Sequence, residues 1–214
     1  MASNALNDGE NLPKIETDTA SKGGDNRFAF DADDAAKSAS FVNRSAGPVW
    51  QTTFVRGAPV EPPSSSASNM RLTKAYYTMQ GSKPDLQNLV QGDRIVIQLT
   101  LTPEERRTNP MIVEDLLPAG FEIEAILRPS DGQSGKGAFS WLGNIASPNI
   151  AESRDDRFVA AIDVREKAVS LAYVVRAVTP GNFVLPGAVT EDMYRPQVFA
   201  RTPSGSVVIK REDG

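Results

Sequence analysis

Apolar and polar residues alternate with a period of two along much of this sequence, and this pattern constrains the fold more than any other feature. Successive side chains of a β-strand point to opposite faces, so such segments are predicted to be strands with one buried face. The alternation is clearest in RIVIQLTLT at 94–102, FEIEAILR at 121–128, RFVAAIDVR at 157–165 and VSLAYVVRA at 169–177. Further strands are predicted at 70–79, 109–117, 182–186 and 206–210.

The same alternation predicts which side chains face the core. Turn sequences that contain Gly and Pro separate the strands, for example LPAG, TPGN and LPG. About eight short strands with such turns predict an all-β fold, an immunoglobulin-like antiparallel β-sandwich. The predicted inward residues are Ile95, Ile97, Leu99 and Leu101; Phe121, Ile123, Ala125 and Leu127; Phe158, Ala160, Ile162 and Val164; and Val169, Leu171, Tyr173 and Val175.

Composition changes along the chain suggest an organisation in four parts. Residues 1–25 are polar and rich in Asn, Asp, Gly, Ser and Thr, so they are predicted to be a disordered tail on the sandwich. Residues 26–57 carry short alternating runs, Phe28 with Phe30 and Trp50 with Thr52 and Phe54, that predict strands. The Pro- and Ser-rich stretch 58–69 is a predicted linker, which leaves 70–214 as the sandwich domain.

The residue types that are missing exclude several classes of function. The 214 residues contain no Cys and no His, so a Ser-His-Asp triad, a thiolate nucleophile and a Cys-ligated zinc site are all excluded. The net charge of -4 disfavours nucleic acid as a partner. No run of 18 apolar residues exists, so the chain is not expected to span a membrane. We expect no catalytic residues, no metal and no cofactor.

Three short motifs resemble functional sites without meeting their chemical requirements. GQSGKG at 132–137 has only two residues before Gly-Lys and no Ser or Thr after it, so it is not a phosphate loop. DADDAA at 31–36 has Ala36 where a calcium loop needs Gly, and Val42 where it needs Glu. In ESRDDRF at 152–158, the arginines would lower the acids' pKa values, which is the opposite of what a general acid requires.

Aromatic residues offer an alternative, binding function. Trp50, Tyr76 and Tyr77 could form a platform on which a sugar stacks, although aromatic side chains in strands more commonly belong to the core. A row of exposed rings would favour a free-standing immunoglobulin-like module that binds a carbohydrate or a surface protein.

The stretch VTEDMYRPQVF at 189–199 contains the most unusual pair of side chains, Met193 and Tyr194. Gly187 precedes the stretch and Pro196 interrupts it, so the pair is predicted to lie in a loop. The two side chains either fill part of the core or project as an adaptable apolar contact with one hydroxyl donor. The residues alone leave both interpretations open.

Several segments in order resemble one known family. GDRIVIQLTLTP, IVEDLLPAGFEIE, RDDRFVAAID, AYVVRAVTPGNFVLPGAVTEDMYRP and VFARTPSG, within 92–205, resemble the C-terminal macroglobulin-like domain of bacterial alpha-2-macroglobulins. FVNRSAGPVWQTTFVRGAPVEPP resembles the preceding stretch of that family, which implies that 26–57 are strands from the end of a CUB-like domain. The resemblance extends over about residues 28–210.

The resemblance implies a non-enzymatic fragment of a protease trap, a broad-spectrum endopeptidase inhibitor. In this family a protease cuts a bait region, and a buried Cys–Gln thioester then bonds to the attacker. The implied partner of this chain is the thioester domain of the same parent protein, and target proteases are engaged by the intact protein. The implied location is the periplasm, with the parent an inner-membrane lipoprotein, and the fragment is expected to be a monomer.

The resemblance also gives the loop a role. It implies that Met193 and Tyr194 cover the thioester and exclude water and amines, and that Glu191, Asp192 and Arg195 hold or dock the loop. If the parent carries no thioester, the same loop has only a packing role.

Overall fold

A computed structural model of the chain describes residues 15–17, 40–52, 63–133 and 136–211. The chain divides into two compact units, Met1–Val60 and Glu61–Gly214. The described strands are β1 (Ile15–Thr17), β2 (Phe41–Asn43), β3 (Ser66–Ser68), β4 (Met70–Thr78), β5 (Leu89–Val90), β6 (Arg94–Pro103), β7 (Asn109–Leu116), β8 (Phe121–Ile126), β9 (Ile150–Ser153), β10 (Arg157–Val164), β11 (Val169–Ala177), β12 (Gly181–Leu185), β13 (Val189–Asp192), β14 (Phe199–Arg201) and β15 (Gly205–Lys210).

In the first unit, β1 and β2 form an antiparallel pair. Trp50 and Thr52, which were predicted to lie in a strand, belong to no strand. Phe28, Phe30 and Phe54 lie outside the described residues, as does nearly all of the predicted disordered tail. The assignment of 26–57 to a CUB-like domain stays a prediction.

The second unit is the predicted antiparallel β-sandwich. One sheet has the strand order β3-β14-β13-β7-β10-β9, and the other has the order β4-β6-β11-β8. All pairs in these two sheets are antiparallel. A smaller sheet, β12-β15-β5, includes one parallel pair, β15 with β5. No helix among the described residues is long and apolar enough to cross a membrane.

The core lies between the two large sheets and contains the side chains that the alternation predicted. Ile95, Ile97, Leu99 and Leu101 of β6 are all buried, and the inward residues of β10 and β11 join the same cluster. The Phe158 ring stacks on the Tyr173 ring across the sandwich, with 4.6 Å between their centroids. Burial of one face of each strand therefore explains the two-layer architecture.

The prediction of which β8 side chains face the core is wrong for the residues after Ile123. In the pairing with β11, Val175 lies opposite Ile123 and Val174 lies opposite Ala125, so Glu124 is an extra, bulged residue. A bulge shifts the alternation by one residue. Ala125 is consequently exposed, and Ile126 packs on the main core in its place.

A second apolar cluster covers the outer face of the four-stranded sheet. Val96, Ala172 and Val174 occupy outward positions of β6 and β11, yet they are buried. The described parts of the connection between β8 and β9, residues 127–133 and 136–149, fold over them and include a short 3₁₀ helix, Ser140–Leu142. This connection, which we call the strap, also contributes Leu127, Leu142 and Ile145. Leu127 is therefore buried in this second cluster and not in the main core as predicted.

The start of the sandwich lies within the stretch that was predicted to be a linker. Ser66–Ser68 pair with β14 at the edge of the six-stranded sheet. Asn69 then has φ 56, a left-handed conformation that Asn tolerates better than most residues, between β3 in one sheet and β4 in the other. The rest of the boundary at 58–69 stays a prediction.

Candidate functional site

The loop between β13 and β14 is the candidate functional site. Residues 193–197, which we call the tip loop, close the hairpin that these two strands form. The Met193 N–H donates to the Pro110 carbonyl at 2.9 Å, and the Asp192 N–H donates to the Val198 carbonyl at 2.9 Å. The base of the loop is thus held by backbone hydrogen bonds both within the hairpin and to β7.

The side chain of Asp192 stabilises the tip loop through hydrogen bonds to its residues. Its side chain is buried, and Oδ1 accepts hydrogen bonds from the N–H groups of Tyr194 and Arg195, each at 3.0 Å. Oδ2 accepts a third from the Arg195 guanidinium at 2.5 Å. Burial alone would raise the pKa of the Asp192 carboxyl, but these hydrogen bonds outweigh burial and hold the pKa below its usual value.

Arg195 connects the tip loop to the neighbouring strand. Its guanidinium donates to Asn109 Oδ1 at 2.9 Å and to the Thr108 carbonyl at 3.4 Å. Asn109 is itself buried, and its Nδ2 donates to the carbonyls of Arg107 and Val164. A charged hydrogen-bond network therefore runs from the tip loop to the first residue of β7.

The two side chains that the network supports project away from it. Met193 is 44% exposed and Tyr194 is 81% exposed. Within the described part of the chain, the Tyr194 hydroxyl has no hydrogen-bond partner. The structure therefore favours the contact interpretation of this pair over the core interpretation. A hydrogen-bonded base that carries a projecting ring and thioether is well suited to cover a site on another surface.

The structure brings together some of the other predicted site residues. Asp192 and Arg195 contact each other directly, whereas Glu191 lies exposed on the outer face of the sheet, opposite Ile112 and Phe199. The role of each residue toward a partner stays a prediction. Asn109 was not predicted as a site residue, although it occupies an inward position of the predicted strand 109–117 and is therefore a buried polar residue.

A second polar cluster, inside the sandwich, was also missed. Lys74 Nζ lies 2.5 Å from Asp115 Oδ1, and both side chains are almost wholly buried. The Tyr173 hydroxyl donates to Asp115 Oδ2 at 2.7 Å, and Lys74 also donates to the Pro186 carbonyl at 3.1 Å. Burial raises the pKa of the Asp115 carboxyl, although Lys74 and Tyr173 oppose this effect.

The motifs that resembled functional sites have structural roles where they are described. Arg157 pairs with Glu114 at 2.5 Å and with Asp156 at 2.6 Å. The hydrogen bonds from Arg157 hold the pKa of Asp156 below its usual value. Gly132 is buried at the start of the strap, while the stretch 31–36 lies outside the described residues. Among the residues described, no three Asp or Glu residues are grouped as metal ligands would be.

The aromatic platform is not formed by the two tyrosines. Tyr76 and Tyr77 are adjacent in β4, so their side chains point to opposite faces of the sheet. Tyr76 packs against the main core, and Tyr77 contacts the Trp141 ring edge-on at 5.1 Å. Trp50 is 89% exposed, but it belongs to the first unit.

Comparisons with known proteins identify relatives of this chain. Residues 70–197 match a family model described as the bacterial alpha-2-macroglobulin MG10 domain. The alpha-2-macroglobulins of Xylella fastidiosa strain 9a5c and Escherichia coli K12 are each 32% identical to this chain, over 78% and 79% of its length. These alignments include 10% and 11% of the relatives, so the chain spans about a tenth of the length of the curated relatives it matches.

Solved structures of related proteins have the same architecture. A Salmonella alpha-2-macroglobulin mutant is 29% identical and superposes with a TM-score of 0.73 over 92% of this chain and 13% of its own. Native E. coli alpha-2-macroglobulin, from its MG7 domain to its C-terminus, is 31% identical. Its TM-score is 0.64 over 72% of this chain and 25% of its own.

Proposed function

This chain belongs to the bacterial alpha-2-macroglobulin family and includes its MG10 domain, and we propose that it acts within a longer protease trap. In that role the sandwich is a non-catalytic domain. It packs on a thioester domain of the same polypeptide and shields the thioester. The parent protein is periplasmic and anchored as a lipoprotein, and it engages target proteases as a whole.

The observation that carries this proposal is the exposed Met193–Tyr194 pair on its hydrogen-bonded base. A thioester persists only where water and amines are kept away from its carbonyl carbon. An aromatic ring excludes both while losing little conformational entropy, and the adjacent thioether adapts to an irregular surface. The backbone hydrogen bonds from Met193 and Tyr194 orient the two side chains before any partner is bound.

Related proteins supply further support. The Salmonella relative has been solved with one tyrosine replaced by glycine, and also after reaction with methylamine. The E. coli relative has been solved after activation by porcine elastase. Reaction with a small amine and response to a protease are the two behaviours that the proposal assigns to the parent of this chain.

The experiment uses the full-length parent and measures the thiol released when methylamine attacks the thioester. Tyr194→Gly is expected to accelerate release at least about tenfold, which corresponds to roughly 1.4 kcal/mol of lost protection. Tyr194→Phe keeps the ring and should behave like the unaltered protein. Glu152→Gln is the matched control, since this exposed residue lies on the edge strand β9 and not in the tip loop or its hydrogen-bond network.

Two outcomes would contradict the proposal. Equal rates for Tyr194→Gly and the unaltered protein would mean that the ring covers nothing. Absence of any thiol release, in all variants and after denaturation, would mean that the parent holds no thioester to shield.

A simpler experiment separates the trap from the alternative of a free-standing binding module. An antibody against this 23.1 kDa chain would be used to probe whole cells of its source. A band several times heavier supports a trap, whereas a band near the mass of the chain supports a module that acts alone.

A further inference from the structure

Lys74 and Asp115 form a buried pair that connects the two large sheets of the sandwich. Lys74 lies on β4 of the four-stranded sheet, and Asp115 lies on β7 of the six-stranded sheet. The Nζ and Oδ1 atoms are 2.5 Å apart, and the side chains are only 4% and 0% exposed. The tip-loop function does not use this pair.

The surroundings of the pair disfavour two separated charges. Phe158 stacks on the Tyr173 ring, and the Tyr173 hydroxyl contacts Asp115, so the pair lies among aromatic side chains of the core. Desolvation of an ion pair costs free energy that the mutual attraction only partly offsets. Burial raises the pKa of the Asp115 carboxyl, although Lys74 and Tyr173 oppose this effect.

We propose that Lys74 and Asp115 condense to form an intramolecular isopeptide bond between the two sheets. In the first step of this reaction Nζ passes one proton to Oδ1, and the resulting amine attacks Asp115 Cγ and forms the C–N bond. The Tyr173 hydroxyl, which donates to Oδ2, stabilises the negative charge that develops on that oxygen. A second Nζ proton passes to Oδ1, the Cγ–Oδ1 bond breaks, and one water molecule leaves.

In the product, each remaining polar group of the two side chains has a hydrogen-bond partner. The remaining amide N–H can donate to the Pro186 carbonyl, which already accepts a hydrogen bond from Lys74. Oδ2 becomes the amide oxygen and keeps its hydrogen bond from Tyr173. No buried charge remains, and the apolar surroundings exclude the water that would hydrolyse the amide.

The test is the intact mass of the purified, denatured 214-residue chain. The chain is expected to be lighter than its sequence by the mass of one water molecule. Proteolysis and tandem mass spectrometry should then yield a branched peptide in which Lys74 is joined to Asp115. Lys74→Arg is the matched control, because it keeps the positive charge but lacks a nucleophilic amine, and it should have the full mass.

The control also excludes another source of the same mass loss. Asp followed by Gly can lose water as a cyclic imide, and the sequence contains such pairs at Asp8, Asp131 and Asp213. Lys74→Arg retains all three. Equal mass loss in the control and the unaltered chain would overturn the proposal. A mass equal to that of the sequence, with Lys74 recovered in a linear peptide, would also overturn it.

Discussion

At the scale of single residues, Asp192 is the buried side chain that directly precedes the exposed Met193–Tyr194 pair. It is the last residue of β13, it is buried, and its two oxygens accept three hydrogen bonds from the tip loop. Met193 and Tyr194 follow at once and are exposed. One carboxylate thus allows two apolar side chains to project in a defined direction, because their backbone is held in place.

Substitution of Asp192 should therefore loosen the loop and destabilise the domain. Asp192→Asn is expected to lower the free energy of unfolding by about 2 kcal/mol at pH 7, since hydrogen bonds to a charged group contribute roughly 1.5–3 kcal/mol. The folded-state pKa of Asp192 lies below its ordinary value, so the carboxylate stabilises the fold above about pH 4. That contribution is lost as pH falls through the folded-state pKa.

Urea unfolding of both proteins at pH 7 and at pH 3 measures this prediction. The difference between the unaltered chain and Asp192→Asn should be smaller at the lower pH. Glu191→Gln, at the exposed neighbouring position, should change stability by less than about 0.5 kcal/mol. An Asp192→Asn variant as stable as the unaltered chain at pH 7 would contradict the role given to this carboxylate.

At the scale of elements, the strap explains why the four-stranded sheet is apolar on both faces. Val96 and Val174 break the strict alternation of β6 and β11, and the strap buries them with Leu142 and Ile145. Gly81 has φ 87 and lies so close to the Trp141 ring that a Cβ would collide with it. The turn after β4 and the strap therefore pack as one layer over the sheet.

Removal of a strap side chain should be as costly as removal of a core side chain. Leu142 is only 9% exposed, and Leu142→Ala is expected to destabilise the domain by about 2–4 kcal/mol, within the range for buried leucines. Leu116→Ala is the matched control, because Leu116 is 38% exposed on β7, and it should cost less than about 1 kcal/mol. Equal losses in thermal or urea unfolding would mean that the strap is not part of the folded core.

At the scale of the whole molecule, the sandwich contains the core that an independently folding domain requires. The unit Glu61–Gly214 contains both apolar clusters, the tip loop and the buried Lys74–Asp115 pair. It forms two large sheets with a closed core between them. Such a unit needs no neighbouring domain to bury its apolar faces, and a role in docking is compatible with that independence.

A chain truncated to 61–214 should consequently fold by itself. We expect a cooperative thermal transition within about 3 °C of that of the 214-residue chain, since the core residues are unchanged. Circular dichroism at a β-sheet wavelength and the near-ultraviolet signal of Trp141 would follow the transition. A truncated chain without cooperative unfolding would mean that residues 1–60 complete the core.

The local sequence pattern was sufficient by itself to predict most of the strands and much of the core of this protein. The period-two alternation predicted the strands and most of the main core. It does so because every second side chain of a strand points to the same face, and burial of that face requires those side chains to be apolar. Gly187 and Pro196 likewise predicted that Met193 and Tyr194 lie in a loop. The same alternation puts Lys74 and Asp115 on inward faces, so their burial could have been predicted from the sequence.

Only the tertiary structure decided the rest, because each remaining feature depends on a partner distant in sequence. The bulge at Glu124 follows from pairing with β11 and reverses the face of every later residue in β8. Burial of Val96 and Val174 depends on how the strap folds over the sheet. Arg195 reaches Asn109 only because β13 pairs with β7. The position of a residue along its strand determines the face on which its side chain lies, whereas packing between strands and sheets decides what covers that face.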